Sequence, residues 1–259
     1  MTGFGAAVAV EWLKFRRSRV PLGATVALLV GVPTLGTAGL AAAASDAPTS
    51  FAGKARTLIV GTGWEALFGL AGQVSAVGVL LATGIVIGWI FGREFADGTV
   101  VGLFAQPVTR GRIAAAKSLV VALWLGTVSL GIAALTMLGG AGLGWGWPPM
   151  EAAARLAILS LLTGLSVLPI GWVASIYRGY LPAFVALLGV VIATQLAVGL
   201  GAGAWVPWAA PSLWAGAAGP EQAAQVTAAQ LALPALVGMG GVAATVAWWR
   251  REQIGNASG

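Results

Sequence analysis

Long apolar runs interrupted by short charged clusters set the pattern of this chain. Between consecutive charged residues, six stretches reach 22 residues or more: 20–45, 66–92, 118–150, 156–177, 179–220 and 222–249. A charge at the bilayer centre costs roughly 2.5–3.5 kcal/mol on insertion scales, and about 20 apolar residues cross a hydrocarbon core about 30 Å thick. Each stretch therefore predicts one crossing helix, placed at 20–44, 66–91, 118–138, 156–176, 181–202 and 228–249. The 179–220 stretch has length for two, but Gly199, Gly201, Gly203, Pro207 and Pro211 break it. Its remainder, 203–222, interleaves Trp205, Trp208 and Trp214 with proline and predicts a re-entrant segment before the sixth span.

The polar remainder predicts two further elements. In the leader, 1–19, Phe4, Val8, Trp12 and Phe15 recur at helical spacing while Glu11, Lys14 and Arg17 take other faces. That is the pattern of an amphipathic interface helix, with Trp12, Lys14, Phe15, Arg16 and Arg17 as its membrane-contacting and basic residues. Between the second and third spans, 92–117 is too long and too mixed in charge for a passive tether. Phe95, Val101 and Phe104 can share one face of a short helix over 94–106 that Pro107 ends, with Glu94 and Asp97 near its N-terminus and Arg110 and Arg112 beyond it. On the other side 45–63 and 139–149 read as loops, and 250–259 as a short tail. Within the spans, Gly84, Gly88 and Gly92 form a small-residue stripe for close helix packing, and Pro33, Pro169 and Pro234 predict kinks.

Composition agrees with an all-α integral membrane protein: of 259 residues 58% are hydrophobic and 8% charged, too few charges to clothe a soluble domain. Signs give the orientation. With the N-terminus in the cytoplasm, eleven of the fourteen basic residues fall inside, and only Lys54, Arg56 and Arg155 outside, so both termini are placed in the cytoplasm. Most of the 12 tryptophans lie near predicted span ends, as interfacial anchors do. The net charge of +6 belongs to that cytoplasmic face and calls for no nucleic acid partner.

The chain has no Cys and no His, which excludes thiolate and imidazole catalysis, thiolate or imidazole metal sites and the usual intramembrane proteases. No metal or catalytic residue is assigned. No span carries an ionisable residue near its middle, which argues against proton- and sodium-coupled carriers. The GxxxxGK[ST] nucleotide motif is absent as well, so energy for active transport must come from another polypeptide, and 92–117 is the surface to receive it.

These features together resemble the type-2 ABC exporter permeases, the membrane subunits of bacterial multidrug, antibiotic-resistance and polysaccharide exporters. The resemblance rests on the basic leader Glu11-Trp12-Leu13-Lys14-Phe15-Arg16-Arg17-Ser18-Arg19. It rests also on Glu94, Gly98-Thr99, Pro107-Val108-Thr109-Arg110 and Lys117 in the inner connection, six spans, and a re-entrant segment before the last. It implies a single permease domain in a prokaryotic inner or plasma membrane, pairing with a second permease subunit, identical or related. Two ATP-binding-cassette ATPase subunits would supply bound ATP and Mg. The coupling residues implied are Arg93, Glu94, Phe95, Asp97, Gly98, Thr99, Val101, Phe104, Pro107, Arg110 and Lys117. Neither the substrate nor its contact residues follow from the sequence, and a non-transporting membrane scaffold or regulatory subunit recruiting a cytoplasmic partner is the other reading.

Overall fold

A computed structural model describes residues 2–45, 48–100, 102, 108–217 and 219–251. Among these the chain is helical throughout its regular structure, with no strand. Six helices are long and apolar enough to cross a membrane: Arg19–Ala44, Trp64–Ala96, Arg110–Gly142, Met150–Ile176, Tyr180–Gly199 and Ala228–Arg251. A leader helix, Thr2–Arg16, precedes them and packs along the third span.

The second span is the centre of the bundle, packed by the first, third, fourth and fifth. Its Val79, Val86 and Ile87 are fully buried and meet Leu125 and Ile132 of the third span and Leu159 of the fourth in one core. Lipid tails are as apolar as these side chains, so close packing rather than water exclusion holds such a core together. Gly84, Gly88 and Gly92 all face the fifth span. A Cβ added at Gly84 would stand 2.5 Å from Leu187 Cδ1, at Gly88 3.0 Å from Ala183 Cβ, and at Gly92 2.5 Å from the Tyr180 backbone nitrogen.

Of the three span prolines only Pro169 interrupts its helix. The fourth span runs Met150–Ser166 and resumes at Ile170–Ile176, whereas the helices through Pro33 and Pro234 are continuous. Membrane helices tolerate proline where neighbours re-satisfy the backbone. The sixth span nests on the break: a Cβ at Gly238 would stand 2.5 Å from the Leu165 carbonyl oxygen, and one at Gly241 2.6 Å from Pro169 Cα. From the segment before the sixth span, the Trp208 indole donates to the Ser166 carbonyl at 3.0 Å, the carbonyl that closes the first half of the fourth span. That segment holds short helical turns at Gly203–Trp205, Ala210–Trp214 and Pro220–Gln225.

Three sequence expectations change. The 45–63 loop contains a helix, Ser50–Leu58, capped by the Thr49 hydroxyl, which accepts from the Ala52 amide at 3.1 Å. The second span continues to Ala96 and the third begins at Arg110, so the segment between these two span helices is 97–109 instead of 92–117, and Val100 and Gly102 within it are helical. The leader's inward face is Ala7, Glu11 and Phe15, while Phe4 and Trp12 are exposed. The apolar periodicity placed Glu11 on a polar face, but a buried lysine opposite it reverses the preference.

Candidate functional site

Four charged side chains meet where the leader, the last turns of the second span and the first turns of the third converge. Lys14 Nζ lies 2.8 Å from Glu11 Oε1 and 3.0 Å from Glu94 Oε1. Lys117 Nζ lies 3.0 Å from Glu11 Oε2 and 3.1 Å from Glu94 Oε2, and donates to the Ile90 carbonyl at 3.2 Å. Each ammonium thus touches both carboxylates, each carboxylate oxygen has one ammonium, and the closed ring is neutral.

The ring is deep. Lys117 is wholly buried, Glu11 and Glu94 nearly so, and only Lys14 reaches solvent. Burial alone pushes the Glu11 carboxyl upward, yet the charges of Lys117 and Lys14 and their hydrogen bonds outweigh it and hold its pKa below the ordinary carboxylate value. Burial likewise works against the Lys14 charge, but its bond to Glu11 and the nearby Glu94 charge hold its pKa above the usual lysine value. Removing one member of such a set leaves an uncompensated charge and costs about 3–5 kcal/mol.

Aromatic contacts flank the ring on two sides. Phe15, one helical turn from Glu11, meets Trp124 of the third span edge to face at 5.9 Å, and the Trp124 indole donates to Thr25 Oγ1 of the first span at 2.8 Å. On the opposite side Phe91 and Phe95 meet Trp249 edge to face at 6.2 and 5.8 Å, and the Trp249 indole donates to Ser175 Oγ at 2.8 Å. Trp249 is fully buried, so it is a packing residue and not the interfacial anchor its position at a span end suggests. One end of the bundle is therefore tied across the leader and five of the six spans.

The residues expected on a coupling helix do not stay together. Glu94 and Lys117 belong to the ring, and Phe95 packs on Trp248 and Trp249. Glu94 sits in the last turn of the second span instead of the first turn of a separate helix, and Asp97 caps that span at its C-terminal end. Arg93 lies over the Trp89 ring at 4.4 Å. Asp97, Gly98 and Thr99 form an exposed turn; Gly98 takes φ +69°, a left-handed conformation that favours glycine. Arg110 opens the third span helix. Val101, Phe104 and Pro107 lie outside the described residues, as do five of the thirteen positions of the expected 94–106 helix. Arg16 and Arg17 of the leader are exposed.

Glu11 is the ring member that the sequence expectations did not place among the site residues. Its signal was the pairing of scarce charges: one acid in a basic leader, with Glu94 and Lys117 each at the edge of an apolar run.

Such an arrangement has no reactive constellation; it joins helices. Six helices long and apolar enough to cross a membrane define a multi-pass membrane protein. A family model described as ABC-2 family transporter protein matches residues 7–195, from the leader to near the end of the fifth span, and the chain belongs to that family. It is an ABC transporter permease, a family whose members associate with an ABC ATPase. No curated protein matches the chain.

Proposed function

We propose that this permease is the membrane half of an ATP-driven exporter in a prokaryotic cell membrane. Two copies, or this chain and a related one, enclose the pathway at their interface. Two separate ATPase subunits, carrying the ATP and Mg, dock on the 97–109 connection and the leader from the cytoplasm, where both termini lie. The excess of Lys and Arg at that end supports the orientation.

The observation that carries this reading is the position of the ring at the root of the connection. Glu94 stands three residues before the turn that opens it and Lys117 lies two turns into the helix that closes it. A push on 97–109 is received by a base that the Glu94–Lys117 contact holds shut, and Glu11 and Lys14 pass it to the leader. Coupling thus runs through the buried ring, while the exposed Asp97–Thr99 turn offers the contact surface.

The Cys-free background permits a direct test. A Thr99→Cys chain in liposomes with its ATPase should cross-link to that ATPase through a short thiol reagent, and Ala217→Cys should not. Single Cys at Val108 and at Ala217 should react with an impermeant reagent from opposite sides. Cross-linking at Ala217, or labelling of both positions from one side, overturns the reading. ATPase binding without any stimulation of hydrolysis by the permease supports the scaffold instead.

A further inference from the structure

A groove of about 680 Å³ runs along the bundle between the third span, the break in the fourth span and the sixth span. Ala122, Leu165, Met239 and Val246 are among its walls, and Arg250 stands at one end. Among the described residues its only other polar side chain is Ser118, which donates to the Ala114 carbonyl at 3.0 Å within its own helix. The groove therefore suits an occupant that is apolar along its length and polar at one tip.

The sign of that tip is set by the mouth. A second hollow of about 450 Å³ shares Arg250 and adds Arg110, and among the described residues no acidic one lines either. The Arg250 stem lies across Gly111, where an added Cβ would stand 2.4 Å from Arg250 Cγ, so the glycine keeps the guanidinium at the junction of the two hollows. From Ala235 to Arg250 the sixth span rises about 22 Å, more than the roughly 15 Å of one leaflet's hydrocarbon. An acyl chain can lie extended along that length with its headgroup at the arginines.

We propose that this groove binds an anionic phospholipid, one acyl chain in the furrow and the phosphate between Arg250 and Arg110. Basic pockets between membrane helices recognise anionic headgroups in this way, and the bilayer delivers the ligand laterally. The site does not depend on the ATPase-docking reading; only the assignment to the cytoplasmic leaflet follows from the orientation proposed above.

Native mass spectrometry of the purified chain, taken from vesicles of equimolar phosphatidylglycerol and phosphatidylcholine with matched acyl chains, tests it. Wild type should retain one phosphatidylglycerol in at least fivefold preference. Arg250→Gln should reduce that preference about fivefold, the contribution of one basic side chain near an anionic lipid surface, and Arg251→Gln, with the same loss of charge, should leave it unchanged. Met239→Trp, which fills the furrow while keeping both arginines, should abolish retention and gives a second reading if the arginine variant fails to purify. Equal losses in the two arginine variants reduce the effect to diffuse surface charge and overturn the proposal. So does equal retention of the two lipids, or a non-lipid amphiphile in the groove that Met239→Trp releases.

Discussion

At one end of the bundle Glu11, Lys14, Glu94 and Lys117 close a buried ring across three helices. Toward the other, Glu151 and Arg155 pair at 3.1 Å on successive turns of the fourth span, with the Glu151 side chain 85% exposed and Arg155 resting on Trp214 at 5.1 Å. Both sets join the same kinds of charge at the same distances. They differ in surroundings: water screens the exposed pair and solvates either member left alone, so such a pair contributes about 0–1 kcal/mol. The ring has no such reserve, and each of its members makes the burial of the others possible. In this protein an ion pair therefore reports on structure only through its depth.

The largest effect expected from breaking that contrast is at Lys117. Lys117→Met leaves two buried carboxylates to one lysine and should destabilise the protein by about 3–5 kcal/mol, seen as a large drop in the thermal midpoint in detergent. The double variant E94Q/K117M removes one charge of each sign and leaves Glu11 and Lys14 as a neutral pair. It should recover more than half of that loss, and a midpoint no higher than that of K117M alone would refute the neutral-ring account.

Next in size is Gly92→Ala, where the added methyl meets the fifth-span backbone. Overpacking of about 1–3 kcal/mol is expected, against less than 1 kcal/mol for Gly189→Ala, which faces open space on the fifth span. Trp249→Phe, which removes the indole that donates to Ser175, should cost about 1–2 kcal/mol in the same assay. At the bottom of the scale Glu151→Gln should shift the midpoint by no more than about 1 kcal/mol. A shift at Glu151 as large as that at Lys117 would erase the distinction between the two regions.

Acid and base sharpen the comparison further. The folded pKa of Glu11 is depressed, so its contribution is complete above the ordinary carboxylate pKa and is lost as pH falls through the lowered value. Lys14 is the mirror case: with a raised folded pKa, its contribution is complete below the ordinary lysine pKa and is lost as pH rises through the raised value. Thermal midpoints of wild type should hold level between those limits and fall beyond them on both sides. In E94Q/K117M both limbs should flatten relative to wild type, because the neighbours that shift Glu11 and Lys14 are halved.

The six spans were legible because a charge in lipid is so costly that gaps between charges outline the crossings directly. The connection was not. Glu94 and Lys117 look like surface residues of a 26-residue cytoplasmic segment when each is judged by its own neighbours in sequence. They turn inward because each supplies what the other lacks, a relation between residues 23 apart that no local periodicity contains. Glu11 was hidden for the same reason: spacing assigns a charged residue to the polar face, and only the buried Lys117 reverses that. Trp249 lay at a span end, where anchoring is the general expectation, but Ser175 on the neighbouring helix satisfies its indole and draws it inside.

The central claim is that the ring makes the leader and the adjoining ends of the second and third spans one rigid body beneath the proposed ATPase contact. It is tested most directly by a spin-label distance between Leu13→Cys and Thr99→Cys in the reconstituted complex with its ATPase. Wild type should give one narrow distance that is the same without nucleotide and with trapped ATP, and adding E94Q/K117M should broaden it in the ATP state. A wild-type distance that shifts between the two nucleotide states would show the leader moving apart from the spans and contradict the account.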